Sequence, residues 1–245
     1  MIKEESWKGV SFSMTTLTDW NCQLLPSLRD VEHSPQRIAL ALEEMHQAFG
    51  VSQFYLTPQY HVARESVTAF LHRRERIKES LVPHLSPSVS VLIGASVTLS
   101  PSVCEIRELD KLLTNRSYLC LSLPLCEYAH WIDFELNRLL FHRRLRPLFL
   151  SFERAVILYP EEAIERLMRI KGAAFQFSYR SLQETKILNI IQCLLKERKT
   201  VLLGTGLDSP EKIGLYELPH YLDCAKRFFD ERELCRLLSN RGASL

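Results

Sequence analysis

The sequence lacks a long apolar segment. No stretch of about 18 consecutive apolar residues, the length that a membrane-spanning helix needs, occurs in its 245 residues. Residues 1–13 mix charges of both signs and contain no apolar core of a secretory signal. These absences predict a cytoplasmic protein that does not insert into a membrane.

The chain also lacks an excess of charge of either sign. The chain has 31 basic and 29 acidic side chains and a formal net charge of +2, which gives no long-range attraction to nucleic acid or to anionic membranes. Two basic runs, 72–76 and 142–146, could contact a nucleic acid, but solvated helix faces and helix ends explain them equally well. We therefore expect no nucleic-acid partner.

Paired cysteines are also absent. Seven cysteines are scattered without a C-x-x-C motif, and the odd number argues against a closed disulfide framework. They are Cys22, Cys104, Cys120, Cys126, Cys193, Cys224 and Cys235. Buried thiols in a reducing compartment are the expected state.

What is present fits a globular protein with a substantial core. Of the residues, 46% are hydrophobic and 24% are charged, and the length suits one large domain or two small ones. Residues 1–14 are polar and aperiodic, which predicts an N-terminal tail. Residues 15–245 are then expected to form one domain.

Seven short runs rich in β-forming apolar residues predict strands. They lie at 16–25, 53–57, 88–99, 117–125, 146–152, 173–179 and 200–206. Helical periodicity between them predicts helices at 35–49, 65–81, 102–113, 129–145, 160–170, 182–199 and 219–239. Ser34 and Pro35 form a good start for the first helix, and Gly50 is its stop signal.

The alternation of strand and helix predicts an α/β fold with parallel strands and right-handed crossovers. Seven such units indicate a closed (β/α)7 barrel. An open doubly wound sheet is the competing architecture, but it carries a Gly-rich turn after the first strand that this chain lacks. The glycine pair Gly204 and Gly206 follows the last strand, where a tight turn explains it.

In such barrels the functional groups lie at the C-terminal ends of the strands. Most residues at these ends are polar, but few are classical metal ligands. They are Asn21, Gln23, Gln59, Ser96, Glu127, Ser151, Glu153, Arg154, Ser178, Thr205, Leu207 and Asp208.

Five motifs in order carry a resemblance to a known family. They read D-W-N-C-Q-L-L-P-S-L-R-D, L-T-P-Q-Y, I-G-A-S, P-L-F-L-S-F-E-R and V-L-L-G-T-G-L-D. The chain resembles the PHP (polymerase and histidinol phosphatase) superfamily, in the branch of manganese-dependent bacterial protein-tyrosine phosphatases from capsular and exopolysaccharide loci. This resemblance covers about residues 16–239 and implies a distorted (β/α)7 barrel of the PHP type.

The departures from the family pattern concern the metal ligands. The first family motif reads D-x-H-x-H-x-L-P-x-x-D-D-G; Asp19, Leu25, Pro26 and Asp30 match it, whereas amides replace both histidines. Across the motifs, seven ligand positions carry Asn21, Gln23, Gln59, Ser96, Ser151, Thr205 and Leu207. None of these supplies the imidazole or carboxylate that Mn²⁺, Fe²⁺ or Zn²⁺ needs. We therefore expect no catalytic residues, no metal and no other cofactor.

Two basic residues are candidates for anion binding. The resemblance places Arg154 at the family arginine that faces the phosphate, and Lys212 lies near a second basic family position. An ion pair between Arg154 and Glu153 would explain that arginine without any ligand.

Three hypotheses for function remain open. The first is a phosphatase-like pseudoenzyme in capsular or exopolysaccharide biosynthesis or its regulation; the resemblance implies a tyrosine-kinase tail or a polysaccharide export component as its binding partner. The second is a working phosphatase with metal ligands rearranged around His61, Asp19, Glu153 and Asp208. The third is a structural subunit that forms a homo-oligomer or pairs with an active paralogue through an apolar helix stripe with Trp131, Phe134 and Phe141.

Overall fold

The computed structural model describes residues 17–25, 34–114 and 118–239. The predicted tail at 1–14 lies outside the described residues, as do Pro26 and Asp30 of the first motif. No helix among the described residues is both long and apolar enough to cross a membrane.

The described residues form nine strands, because the predicted run at 88–99 is divided into two strands and a further two-residue strand follows the run at 53–57. They are β1 Leu17–Cys22, β2 Val51–Leu56, β3 Gln59–Tyr60, β4 Ser90–Ile93, β5 Ser96–Thr98, β6 Tyr118–Ser122, β7 Arg146–Leu150, β8 Ala174–Ser178 and β9 Thr200–Gly204. Every pairing between these strands is parallel. The predicted parallel α/β architecture is thus confirmed.

The strands form two sheets, in the orders β1-β2-β4 and β3-β5-β6-β7-β8-β9. Backbone hydrogen bonds continue the pairing across the junction between these sheets: Gly94 N donates to Leu56 O at 2.9 Å at the end of the first sheet, and Ser96 N donates to Pro58 O at 3.0 Å at the start of the second. The strand order around the molecule is therefore β1, β2 with β3, β4 with β5, and then β6 to β9.

At their C-terminal ends, the first and last strands meet. Gly206 N donates to Asn21 O at 2.8 Å, and Gln23 N donates to Leu207 O at 2.7 Å. Gly204 permits this close approach, since a Cβ there would lie 2.6 Å from Asn21 N. The result is a distorted barrel of seven strand units.

Eight α-helices cover this barrel in the described residues. They are α1 Pro35–Phe49, α2 Val67–Leu81, α3 His130–Asn137, α4 Phe152–Leu158, α5 Glu161–Arg169, α6 Thr185–Lys196, α7 Leu218–Ala225 and α8 Glu231–Ser239. The first begins and ends as predicted: Ser34 Oγ accepts a hydrogen bond from Arg37 N, and Gly50 ends the helix with a φ of 72°.

The predicted helix at 102–113 is wrong. This segment forms two 3₁₀ turns, Val103–Glu105 and Leu109–Leu112. Each turn follows a residue with left-handed backbone, Ser102 at φ 69° and Glu108 at φ 62°, and such residues interrupt a right-handed helix.

Two further predicted helices differ from the structure, and one observed helix was not predicted. The segment at 129–145 is α-helical only as far as Asn137 and continues as a π-helical turn, Arg138–His142. The segment at 219–239 is divided into α7 and α8, because Asp230 and Glu233 form reciprocal side-chain to backbone hydrogen bonds that start a new helix. Helix α4, which follows β7 directly, was not predicted.

Alternate residues of the strands divide the core into two layers. One set packs with the helices in the largest cluster, as Leu119, Phe149 and Phe175 do. The other set forms a small cluster between the strands, made of Trp20, Tyr55, Tyr118, Cys120, Leu148, Leu150, Ala174 and Leu202. The barrel interior is therefore filled with side chains up to its polar C-terminal end.

Candidate functional site

Asn21, at the C-terminal end of β1, is the centre of a buried hydrogen-bond network. Its Nδ2 donates to Ser151 Oγ at 3.2 Å and to Gln176 Oε1 at 3.0 Å. Its Oδ1 accepts from Thr57 Oγ1 at 2.9 Å and from Gln23 Nε2 at 3.3 Å. The side chain is fully buried, so these contacts join β1 to the ends of β2, β7 and β8.

These four hydrogen bonds use the whole capacity of the Asn21 side chain. A primary amide has two N–H donors and an oxygen with two lone pairs. Both donors and both lone pairs of Asn21 have protein partners. The amide therefore has no lone pair left for a metal ion.

Gln176 is a member of this network that sequence reasoning missed. It lies within β8 and is fully buried; its Oε1 also accepts from Ser151 N at 2.8 Å, and its Nε2 donates to Phe177 O at 2.6 Å. The available signal was a single amide between Phe175 and Phe177 in an otherwise apolar run. A polar side chain in such a position must find hydrogen-bond partners inside the fold.

Ser151 occupies an unusual backbone conformation at the start of α4. Its φ is 48°, in the left-handed region that residues with a side chain rarely adopt. This conformation directs the Ser151 N–H to Gln176 Oε1 while Ser151 Oγ accepts from Asn21. Backbone strain of this kind is concentrated at functional sites and switches.

A second group of hydrogen bonds surrounds the buried Asp19 carboxylate. Its Oδ1 accepts from Asn21 N at 3.0 Å and from Thr205 N at 2.9 Å, and its Oδ2 accepts from the Thr205 hydroxyl. Leu207 N in turn donates to Thr205 Oγ1 at 3.1 Å. Burial raises the pKa of Asp19, although the hydrogen bonds from Thr205 and Asn21 act in the opposite direction.

Gln59 and Ser96 are placed apart from these two groups. Gln59 Nε2 donates to Thr98 Oγ1 at 2.6 Å, and Ser96 Oγ lies 2.9 Å from Ser122 Oγ. In the described part of the chain, no hydrogen bond joins either residue to Asn21 or Asp19. The structure thus unites Asn21, Gln23, Ser151, Thr205 and Leu207, and pairs the other two positions with neighbouring hydroxyls.

The donor set does not fit the metals of the PHP type. Among residues 17–25, 34–114 and 118–239, no three or more His, Cys, Asp and Glu side chains are grouped closely enough to hold an ion. The rearranged set of His61, Asp19, Glu153 and Asp208 is therefore not assembled. Amide and hydroxyl oxygens that already form hydrogen bonds with one another are poor ligands for Mn²⁺, Fe²⁺ or Zn²⁺.

A cavity of about 470 Å³ lies beside the network; we call it the barrel-mouth cavity. Its lining includes Gln23, Ser151 and Thr205, at the ends of β1, β7 and β9. Both predicted anion-binding residues, Arg154 and Lys212, line it. Its size is within the usual range for small-molecule sites.

The charged groups of the cavity differ in how they are paired. Lys212 Nζ lies 2.6 Å and 2.8 Å from the two oxygens of Asp208. Arg154 forms no ion pair with Glu153 or with any other described acid. Burial raises the pKa of Glu153, whose carboxylate accepts a hydrogen bond from Ser178 N at 3.3 Å.

Comparison with known proteins identifies the fold. No family model matches the sequence, and no curated protein matches it. One match is a chain from the crystal structures of YwqE from Bacillus subtilis and CpsB from Streptococcus pneumoniae, which are described as unique metal-dependent tyrosine phosphatases. The match has a TM-score of 0.67 and 16% identity, and it covers 92% of both chains.

A histidinol phosphate phosphatase from Lactococcus lactis, solved with zinc, L-histidinol and phosphate, matches with a TM-score of 0.51 and 13% identity. That match covers 86% of this chain and 93% of the phosphatase chain. Both neighbours share the overall fold of this chain. The fold of this chain is therefore the distorted barrel of the PHP type.

Proposed function

We propose that this protein is a phosphatase-like pseudoenzyme of the PHP type, related to the metal-dependent tyrosine phosphatases, that lacks the metal centre and acts by binding. Its setting is capsular or exopolysaccharide biosynthesis or the regulation of that pathway. The binding partner is a tyrosine-kinase tail or another component of polysaccharide export. The chemistry of the site and the resemblance of the motifs support this proposal.

The saturated amide of Asn21 is the observation that carries the proposal. In a metal-dependent phosphatase, the ion lowers the pKa of a bound water and neutralises the phosphoryl oxygens. Those effects need ligands whose lone pairs face the ion, whereas the lone pairs of Asn21 Oδ1 face Thr57 and Gln23. The polar end of the barrel is therefore organised as a structural network.

The proposal predicts that the purified protein neither retains metal nor releases phosphate. After exposure to Mn²⁺, Fe²⁺ or Zn²⁺ and gel filtration, elemental analysis should find far less than one ion per chain. Assays with p-nitrophenyl phosphate and with a phosphotyrosine peptide should give the same rate as buffer that contains the same metal. CpsB, treated identically, is the positive control.

Tightly held manganese together with Mn²⁺-stimulated hydrolysis would contradict the proposal and favour the rearranged-site hypothesis.

The structural-subunit hypothesis makes a separate prediction, because it requires a stable oligomer. Phe134 and Phe141 are 61% and 75% exposed on α3 and the π-helical turn after it. Light scattering of the protein alone and mixed with an active relative tests whether these faces pair.

A further inference from the structure

Positive charge is concentrated at the N-terminal ends of the last three strands. The segments that lead from a helix into β7, β8 and β9 read R-R-L-R at 143–146, R-I-K-G-A at 169–173 and K-E-R-K at 196–199. They contain eight of the 31 basic side chains of the chain and one of its 29 acids, Glu197. All other residues together contain 23 basic and 28 acidic side chains, so the rest of the chain is net negative.

The fold brings these three segments to one surface. Strands β7, β8 and β9 are parallel and paired in that order, so their N-terminal ends lie side by side, at the end of the barrel opposite to the barrel-mouth cavity. Contacts join the segments: Lys199 Nζ donates to Ile170 O at 2.9 Å, and a Cβ on Gly172 would lie 3.7 Å from Arg146 Cδ. We call the surface formed by 143–146, 169–173 and 196–199 the basic end.

Most of the positive charge at the basic end is not neutralised within the protein. Its basic side chains are exposed, except for the half-buried Lys199. Arg169 forms an ion pair with Glu165 at 2.9 Å, and Arg143 donates to Ile106 O at 2.6 Å. In the described part of the chain, no ion pair includes Arg144, Arg146, Lys171, Lys196 or Arg198.

Two of these arginines occupy positions that favour glycine. Each segment passes through left-handed backbone before its strand, at Arg144 with a φ of 55°, Gly172 with a φ of 76° and Arg198 with a φ of 57°. A residue with a Cβ is less stable in this conformation than glycine is. Stability alone would therefore favour glycine at all three turns, whereas a role for the charge explains arginine at two of them.

Helix dipoles account for only part of this surface. The C-terminus of a helix attracts cations, but the effect falls off within the last turn. Arg169 and Lys196 are the last residues of α5 and α6, so the dipole explains their charge. Arg146 is the first residue of β7, and Lys171 lies between α5 and β8. These two cations need another explanation.

The arrangement of the basic end fits a planar anionic surface. Short connections present its charges at one end of the barrel, and Phe141, in the π-helical turn that leads into 143–146, is 75% exposed beside them. Basic clusters attract anionic lipids, and exposed aromatic rings enter the headgroup region of a bilayer. A nucleic-acid duplex fits less well, because its bases are read by a helix or a β-ribbon that enters a groove.

We propose that the basic end binds the anionic surface of a lipid bilayer, with Phe141 in the headgroup region and without insertion of a helix. Since the rest of the chain is net negative, the bilayer orients the molecule with the basic end against the lipid and the barrel-mouth cavity toward the solution. The net charge of +2 gives no sign of this surface, because it does not report how the charge is distributed. The inference goes beyond the proposed function and does not depend on it.

Co-sedimentation with vesicles tests the proposal. The wild-type chain should bind vesicles made of equal parts of phosphatidylglycerol and phosphatidylcholine. It should not bind pure phosphatidylcholine, and it should dissociate at about 1 M salt, where the Debye length is about 3 Å. Arg144→Gln combined with Arg198→Gln should weaken binding about tenfold or more, since each basic residue near an anionic bilayer contributes about fivefold.

Arg64→Gln combined with Arg180→Gln is the matched control. It removes the same charge from two exposed arginines that follow β3 and β8, at the mouth end of the barrel. This variant should bind the anionic vesicles nearly as the wild type does. Phe141→Ser should weaken binding several-fold and leave its salt dependence unchanged.

A glycine variant separates binding from stability. Arg144→Gly combined with Arg198→Gly should weaken vesicle binding as the glutamine variant does. Its midpoint in urea denaturation should nevertheless be equal to or higher than that of the wild type, because glycine suits left-handed backbone. A lower midpoint with unchanged binding would assign both arginines to the stability of the fold and would overturn the proposal.

Three other results would also overturn it: no binding of anionic vesicles by the folded wild type, equal binding of pure phosphatidylcholine, or an equal loss in the Arg64 and Arg180 control. Titrations with single-stranded RNA and duplex DNA test the alternative polyanion. Nucleic-acid binding that depends on Arg144 and Arg198, in a chain that ignores anionic vesicles, would assign the basic end to a nucleic acid instead.

Discussion

Gly204 shows, at the scale of a single residue, why β9 can approach β1. Its missing side chain leaves room for Asn21 N and for Asp19 Oδ1, which would be 2.6 Å and 2.8 Å from a Cβ. Both atoms belong to the hydrogen bonds that surround Asp19. A side chain at this position would therefore disturb the meeting of the first and last strands and the polar network together.

We predict that Gly204→Ala lowers the free energy of unfolding by about 2 kcal/mol or more, the cost of forcing atoms into a closely packed interior. Urea denaturation followed by circular dichroism measures it. Gly214→Ala is the control, because a Cβ at Gly214 meets no atom within 4 Å; that change should leave the midpoint nearly unaltered. Equal midpoints for the two variants would contradict the close approach at Gly204.

The residues of the candidate site were predictable to different degrees. The order of the motifs identified Asn21 and Ser151, because the resemblance indicates which residues lie at the strand ends even where their side chains differ from the family pattern. Gln176 was missed because it lies inside a strand, where no ligand position was expected. Arg180, which also lines the barrel-mouth cavity, was missed because the sequence does not show whether an arginine faces a cavity or bulk solvent. Orientation of this kind depends on tertiary packing.

At the scale of the elements, local signals decided which predictions succeeded. Helix α1 was predicted correctly because both ends carry a specific chemical signal, the hydroxyl of Ser34 and the left-handed Gly50. The segment at 102–113 has helical periodicity but no glycine stop signal, and left-handed residues at Ser102 and Glu108 divide it. The periodicity of apolar residues alone does not show whether a helix is interrupted by left-handed backbone.

The cap of α1 provides a test at this scale. Ser34→Ala removes the acceptor for Arg37 N and should lower the free energy of unfolding by about 1 kcal/mol. Ser34→Asp keeps an acceptor at the same place and should retain the stability of the wild type. Chemical denaturation of the three proteins measures both effects. A loss of the same size in both variants would contradict a role for the hydroxyl as a cap.

The whole molecule determines which cysteines are chemically accessible. Among the side chains that the structure describes, Cys22, Cys104 and Cys120 are buried thiols, whereas Cys126 and Cys193 are exposed. Burial raises the pKa of Cys104 to about 12 and that of Cys120 to about 11. Since the thiolate is the reactive form, both groups should be inert at neutral pH.

Timed alkylation with iodoacetamide at pH 8, read by mass spectrometry of peptides, tests this expectation. Cys126 and Cys193 should be labelled many-fold faster than Cys104 and Cys120 in the folded protein. In denaturing urea all four should react at similar rates. Fast labelling of Cys120 without denaturant would mean that the barrel opens far more readily than its packed interior implies.

The four hydrogen bonds of Asn21 also limit which substitutions this position can accept. An imidazole at that position cannot replace all four hydrogen bonds of the amide. Donors or acceptors would be left unpaired among its present partners, Gln23, Thr57, Ser151 and Gln176. A buried polar group left unpaired costs about 1–3 kcal/mol, so Asn21→His alone should destabilise the fold. A metal ligand at this position would therefore require concerted replacement of several neighbours.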